Sequence, residues 1–288
     1  MRYRCLIIGL GHVGMDYDLS FTPEQAIFTH SRAFSVHQSF EIVGAVDPLR
    51  EKRTVFEKHF RKLTFGDISS AIKEIDFDVV VISSPTVFHC EHVKEILSLS
   101  KPIAILCEKP LAYDLTEAEE IVESCDKFGV KLYVNYMRRS DPGVIEVKKR
   151  ITNGLIANPI KGTVWYSKGF LHNGSHFFNL LQFWLGPVQQ HFIINKGRLW
   201  QDQDPEPDVY VEFEQGHVVF LAAWEESYSH YTVELVCPTG RLRYDRGGEN
   251  IQWQNTINDS EFQGYKILKP EPEIIPNGMS KYQYNVAT

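Results

Sequence analysis

Gly9, Gly11 and Gly14 follow directly on the apolar run Tyr3-Arg4-Cys5-Leu6-Ile7-Ile8 in the spacing Gly-x-Gly-x-x-Gly. A buried strand turning sharply into a helix needs such a sequence. The first glycine makes the turn, the second omits the Cβ that would block a pyrophosphate, and the third lets helix and strand pack closely. With His12 and Val13 between the glycines, the amides opening the next helix would point at phosphates, aided by the positive end of the helix dipole. Asp47 ends a second apolar run, residues 42–46. A carboxylate there can accept hydrogen bonds from the adenosine ribose hydroxyls, which favours NAD. Arg50 and Arg53 follow closely and could neutralise a 2′-phosphate, so NADP stays open. A plain helix N-cap role for Asp47 is compatible with either.

Cys107-Glu108-Lys109-Pro110 is the second group with chemical potential. Pro110 biases Lys109 towards extended geometry just past a strand's carboxyl end, where open α/β sheets bind ligands. A solvated surface lysine is the bland alternative; delivery by an apolar run tips the balance towards function. Ser84-Pro85-Thr86 ends the preceding strand along the same expected crevice. The third group lies in residues 176–185, apolar nearly all round, where His176, Asn179 and Gln182 recur every third position as one stripe. Unsatisfied buried polar groups cost about 1–3 kcal/mol each, so the stripe is expected to face a cleft, with His172 one turn earlier and Gly174 allowing close approach. His89-Cys90-Glu91-His92 has a superficial metal-ligand look, but no Pro-Cys-x-x-Cys follows and no metal is expected.

The elements that must position these residues fall into two textures. Over residues 1–135 short apolar runs alternate with amphipathic stretches, which predicts βαβ units and a doubly wound parallel sheet. Strands are expected at 4–9, 41–47, 63–65, 78–83, 103–107 and 131–135, and helices at 48–60, 68–75, 87–99 and 116–128. Thr116 with Glu119 reads as a capping box. Residues 16–28 fit neither period and read as an inserted loop near the cofactor cleft, which also explains the long spacing from Gly14 to Asp47. Residues 136–288 are expected to form an α+β domain. Helices at 144–152 and 174–185 join alternating strands at 162–167, 190–195, 208–213, 217–224, 231–237 and 240–244, a largely antiparallel open sheet. The proline-rich stretch 269–278 reads as extended surface chain.

The chain has 288 residues, 43% hydrophobic, enough for two cores. A net charge of −7 with scattered basic residues argues against nucleic acid. The five cysteines are unpaired in spacing and read as reduced thiols. No export-type leader or membrane-length apolar run is visible, so a cytoplasmic protein is expected.

Taken together, Gly9 to Gly14, Asp47, Ser84-Pro85-Thr86 with His89, Glu108-Lys109-Pro110, Asn135-Tyr136-Met137-Arg138 and Gly174-Ser175-His176 resemble the Gfo/Idh/MocA oxidoreductase family. The resemblance implies a Rossmann domain plus an α+β domain whose open sheet forms a homodimer or homotetramer interface. It also implies NAD(P)-dependent dehydrogenation or reduction of a sugar, cyclitol or sugar-nucleotide derivative. By the same resemblance Lys109 would hydrogen-bond the reacting hydroxyl and His176 would act as general base. Glu108, Lys109, Ser84, Pro85, Thr86 and His89 would lie along the cofactor, and His172, Asn179 and Arg138 on the substrate side. A dinucleotide-binding sensor without turnover, also known in the family, is the second expectation. Three departures bear on these roles. His172 and Asn179 stand where the family carries aspartates, removing negative charge, and the chain stops soon after Tyr282, which leaves the C-terminal wall of the cleft absent or rebuilt.

Overall fold

The computed structural model describes residues 2–288, which divide into two compact units, 2–137 with 280–288, and 138–279.

In the first unit the elements run β1 (Tyr3–Ile8), α1 (His30–Val36), β2 (Phe40–Val46), α2 (Arg50–Phe60), β3 (Leu63–Phe65), α3 (Ile68–Glu74), β4 (Val79–Ile82), α4 (His89–Leu99), β5 (Ala104–Cys107), α5 (Leu115–Phe128) and β6 (Lys131–Val134). All pairings are parallel and the order is β3-β2-β1-β4-β5-β6, the doubly wound arrangement expected of alternating runs. Leu6, Ile7, Val80, Val81 and Ile105 are wholly buried, as central strands covered on both faces require. The strand order reverses between β1 and β4, and ligands bind at the carboxyl edge of such a switch point. One expected cap is corrected: Asp114, not Thr116, caps α5, its carboxylate accepting from the Thr116 and Glu117 amides. A side chain one position before the helix reaches those amides directly, whereas Thr116 already lies inside the first turn.

The helix expected directly after the glycines is interrupted. Residues 11–15 make a single turn, with Met15 N donating to Gly11 O at 2.8 Å. The chain then leaves for residues 16–29 and re-enters the same helical path. His30 N donates to Val13 O and Ser31 N to Gly14 O, both at 3.0 Å. Asp18 closes the excursion. Fully buried, it accepts from Phe28 N at 2.7 Å, Thr29 N at 2.9 Å and Thr29 Oγ1 at 2.8 Å.

The expected boundary of the second domain is corrected at its far end, because residues 280–288 belong to the first unit. Ile27 N donates to Ser280 O at 2.9 Å, the Phe28 and Tyr282 rings stack at 5.3 Å, and the closing helix, Tyr282–Ala287, packs on α1. The excursion 16–29 supplies this docking surface, and no local pattern in the sequence announces it.

The second unit contains α6 (Pro142–Thr152), β7 (Ile160–Tyr166), α7 (Ser175–Leu185), β8 (Val188–Trp200), β9 (Asp204–Phe213), β10 (Gly216–Ala222), β11 (Thr232–Cys237), β12 (Gly240–Asp245), β13 (Asn250–Asn258), β14 (Lys266–Leu268) and β15 (Glu273–Ile275); with these in place the closing helix of the first unit is α8. The sheet order is β14-β13-β12-β11-β7-β10-β9-β8, with β15 on β13. Only β7 and β10 pair in parallel; every other pairing is antiparallel. α6 and α7 cover one face around Val144, Phe177, Leu181, Trp184 and Tyr244, all buried. Residues 273–275 form a short strand rather than plain extended chain, since the prolines at 270, 272 and 276 lie outside it.

Candidate functional site

The glycines of the first unit divide the work as their spacing predicts. A Cβ on Gly9, whose φ is +94°, would fall 2.5 Å from Ser84 N, and one on Gly14 would collide with Gly9 O. A Cβ on Gly11 would meet nothing within 4 Å. Gly9 and Gly14 are therefore packing requirements, and of the three only Gly11 faces open space. His12 is exposed and stacks on Tyr17 at 5.2 Å, and Val13 is half-buried. Asp47 is 8% exposed, with Oδ2 accepting from Leu10 N at 2.8 Å and Oδ1 from Leu49 N at 2.9 Å. It is not the N-cap of α2, a position held by Leu49; it fixes the fingerprint turn to the end of β2. Arg53 Nη1 donates to Asp47 O at 2.6 Å and Pro48 O at 2.9 Å, which engages that guanidinium on the backbone, while Arg50 is exposed.

Along the same edge, Ser83 Oγ donates to Gly9 O at 2.8 Å and Ser84 Oγ pairs with His92 Nδ1 at 2.9 Å. Pro85 is exposed and Thr86 half-buried, both opening the turn before α4. His89, expected beside the cofactor, is corrected to a brace. It is fully buried, with Nδ1 3.1 Å from Leu111 O and Nε2 3.0 Å from Ser84 O.

At the end of β5, Glu108 gathers several elements. Its Oε1 accepts from His30 Nε2 at 2.8 Å and Asn135 Nδ2 at 2.6 Å, and Oε2 from Lys109 N at 3.2 Å. Asn135 Nδ2 also donates to Gln283 Oε1 on α8 at 3.2 Å. Burial pushes the Glu108 carboxyl up, but the hydrogen bond and charge of His30, the Asn135 amide and the Lys109 charge outweigh it and hold it below the usual glutamate range. Lys109 is half-buried at this turn.

In the second unit a π-helical turn, Phe170–Gly174, leads into α7. Two carboxylates from one face of β9 clasp its start. Asp204 accepts from Leu171 N at 2.8 Å and His172 N at 2.7 Å, and Glu206 from Gly169 N at 3.0 Å and Arg198 Nε at 2.8 Å. Burial raises the Asp204 carboxyl above its ordinary range, against the amides it accepts from. His176 is 7% exposed and Asn179 is half-buried with Oδ1 enclosed. Gln182 is exposed, so the polar stripe runs from buried to solvated instead of being buried throughout. His172 is exposed against Trp200, with rings 5.4 Å apart. Gly174 makes room for the Phe170 ring, 2.8 Å from where its Cβ would lie, so its close approach is internal. Arg138, expected on the substrate side, is 8% exposed, with its guanidinium 5.1 Å over the Phe177 ring.

Residues 3–136 match the profile of a family described as "Oxidoreductase family, NAD-binding Rossmann fold", GFO_IDH_MocA. This segment is similar to the Gfo/Idh/MocA oxidoreductase family. Among curated members, an inositol 2-dehydrogenase from Rubrobacter xylanophilus is 35% identical over 111 residues, 38% of this chain and 31% of that one. The chain spans about a third of the length of the curated relatives it matches first. Solved structures extend the likeness in fold beyond the Rossmann segment. An Agrobacterium radiobacter oxidoreductase in complex with NAD+, L-tartaric acid and magnesium superposes with a TM-score of 0.72 at 16% identity, covering 99% of this chain and 85% of that one. The WlbA dehydrogenase from Bordetella pertussis, in complex with NADH and UDP-GlcNAcA, gives 0.69 at 18% identity, covering 85% and 78%.

Within the first unit, sequence reasoning missed His30 and Gln283, and in the second unit Asp204 and Glu206. The alternation Asp204-Pro205-Glu206-Pro207-Asp208 is the one local signal that could have disclosed the β9 carboxylates: period two puts all three acids on one face. His30 and Gln283 carry no local signal, because their partners, Glu108 and Asn135, lie 78 and 148 residues away.

Proposed function

We propose that the protein is an NAD-dependent dehydrogenase or reductase acting on a carbinol carbon of a sugar, cyclitol or sugar-nucleotide derivative. The observation that carries this reading is the Glu108-Lys109-Pro110 turn at the carboxyl edge of the same parallel sheet that holds the open Gly11 cradle. Bound nicotinamide supplies the hydride acceptor or donor. The chain supplies the rest: the Lys109 ammonium hydrogen-bonds the substrate oxygen and stabilises negative charge developing there, and His176 takes up or returns the hydroxyl proton. Asn179 and His172 are assigned to substrate hydroxyls. The inositol dehydrogenase and the UDP-GlcNAcA complex among the relatives support the substrate class.

NAD is favoured over NADP because the Asp47 carboxylate is pinned at the end of β2, where a 2′-phosphate would meet its charge, and Arg53 is already engaged by backbone carbonyls. A second copy is proposed to cover the open face of the large sheet, where Trp165 and Phe192 are 40% and 50% exposed. Lys109→Ala tests the catalytic assignment: NADH binding is retained while turnover of any substrate found in a sugar and cyclitol screen falls by about 10² or more. Unchanged turnover would remove Lys109 from the chemistry.

A further inference from the structure

We propose that His30 is a positioning residue that couples the two ends of the cofactor site. Its backbone N–H bonds Val13 O in the fingerprint turn at 3.0 Å, and its ring reaches Glu108 Oε1 at 2.8 Å. One residue thereby ties the phosphate-binding turn to the turn that carries Lys109. The side chain is 1% exposed, so it acts through these contacts and touches no ligand.

The connection depends on the excursion 16–29. Because the chain re-enters the helical path at His30 and not at residue 16, an imidazole takes the place above Val13, its position fixed by the Asp18 closure and the Thr29 cap of α1. Donation to a carboxylate requires the proton on Nε2. Glu108 then spends one oxygen on His30 and Asn135 and turns the other back to the Lys109 amide. Two hydrogen bonds to one buried carboxylate oxygen from different elements leave it a single orientation, and Lys109 inherits that orientation through its own backbone. Gln283 adds the C-terminal helix to the same cluster through Asn135.

This inference rests on the proposed cofactor site, and its test separates the two. His30→Leu fills the space without a donor. His30→Gln keeps an amide nitrogen about where Nε2 sits; His30→Asn, whose amide falls short of Glu108, supplies the lesion should the leucine variant not fold. Two quantities are read on the full chain: hydrogen exchange of the ligand-free protein in the peptide containing Lys109, and NADH affinity by nicotinamide fluorescence. The lesion is expected to speed exchange around Lys109, with β2 unchanged, and to weaken NADH by roughly tenfold; His30→Gln should restore both. Exchange and affinity indistinguishable from the parent in the lesion, or acceleration spread evenly over the whole sheet, would overturn the proposal. If the parent protein itself bound no NADH, the cofactor reading would fail, and the local exchange contrast would still decide the role of His30.

Discussion

Glu108 is the residue where charge, burial and site geometry meet. Its carboxyl is held below the ordinary glutamate range, about 4.3. Its ionised form therefore adds stability that is present above the unfolded-state value and is lost as pH falls through the lower native one. Glu108→Gln is expected to destabilise the fold by about 1–3 kcal/mol at pH 7, with the difference from the parent shrinking in acid, as read by urea unfolding at pH 7 and below pH 4. A constant difference across that range would mean that the ion contributes nothing. Asp47→Ala should release Leu10 N and Leu49 N together, weakening NADH by about tenfold and NADPH by less in parallel titrations. At this scale the sequence was legible wherever chemistry and chain order coincide. Glu108, Lys109 and the three glycines are read from adjacent residues, and the different duties of Gly9, Gly11 and Gly14 follow from spacing. His30, Asp204 and Glu206 were not legible as partners, because each acts on an atom brought near by tertiary folding. His89 differs in the opposite sense: its residue type suited a ligand, but the fold turned it inward onto two carbonyls.

Alternation of apolar runs with amphipathic stretches sufficed for all six strands of the parallel sheet; the central β4 and β5 are continuously apolar, while the edge strands β3 and β6 are partly exposed. The excursion after the fingerprint was legible only as a stretch without a period. What makes it an ordered part of the unit is Asp18, whose carboxylate satisfies two amides and a hydroxyl in the interior. Asp18→Ala leaves those donors buried without an acceptor and is expected to cost about 2–4 kcal/mol, measured by thermal or chemical unfolding; a loss below 0.5 kcal/mol, ordinary for surface changes, would show that the excursion is held by other contacts. In the second unit β13 escaped the sequence because Ile251 and Trp253 are its only fully inward apolar residues, set among Gln and Asn that favour no strand. The length of β8 escaped for a related reason: most of it is exposed, so no buried face imprints a period on its sequence.

The return of residues 280–288 makes the first unit discontinuous in sequence, while the second, 138–279, is a single stretch. The open sheet of the second presents Phe192 stacked on Tyr210 at 4.7 Å, with Trp165 exposed on the same face. Exposed apolar area of this kind supports the second copy proposed above. Phe192→Asp with Trp165→Asp is expected to convert an oligomer to a monomer by light scattering while leaving the fold intact; an unchanged mass would place the interface elsewhere. None of the helices among the described residues is long and apolar enough to cross a membrane. The central claim is that the Gly11 cradle, Asp47 and the Lys109 turn form one nicotinamide dinucleotide site. Its most direct test is a titration of the full chain with NADH and with NADPH, followed by nicotinamide fluorescence. Saturable NADH binding at least tenfold tighter than NADPH is the result predicted here; binding of neither dinucleotide would contradict it.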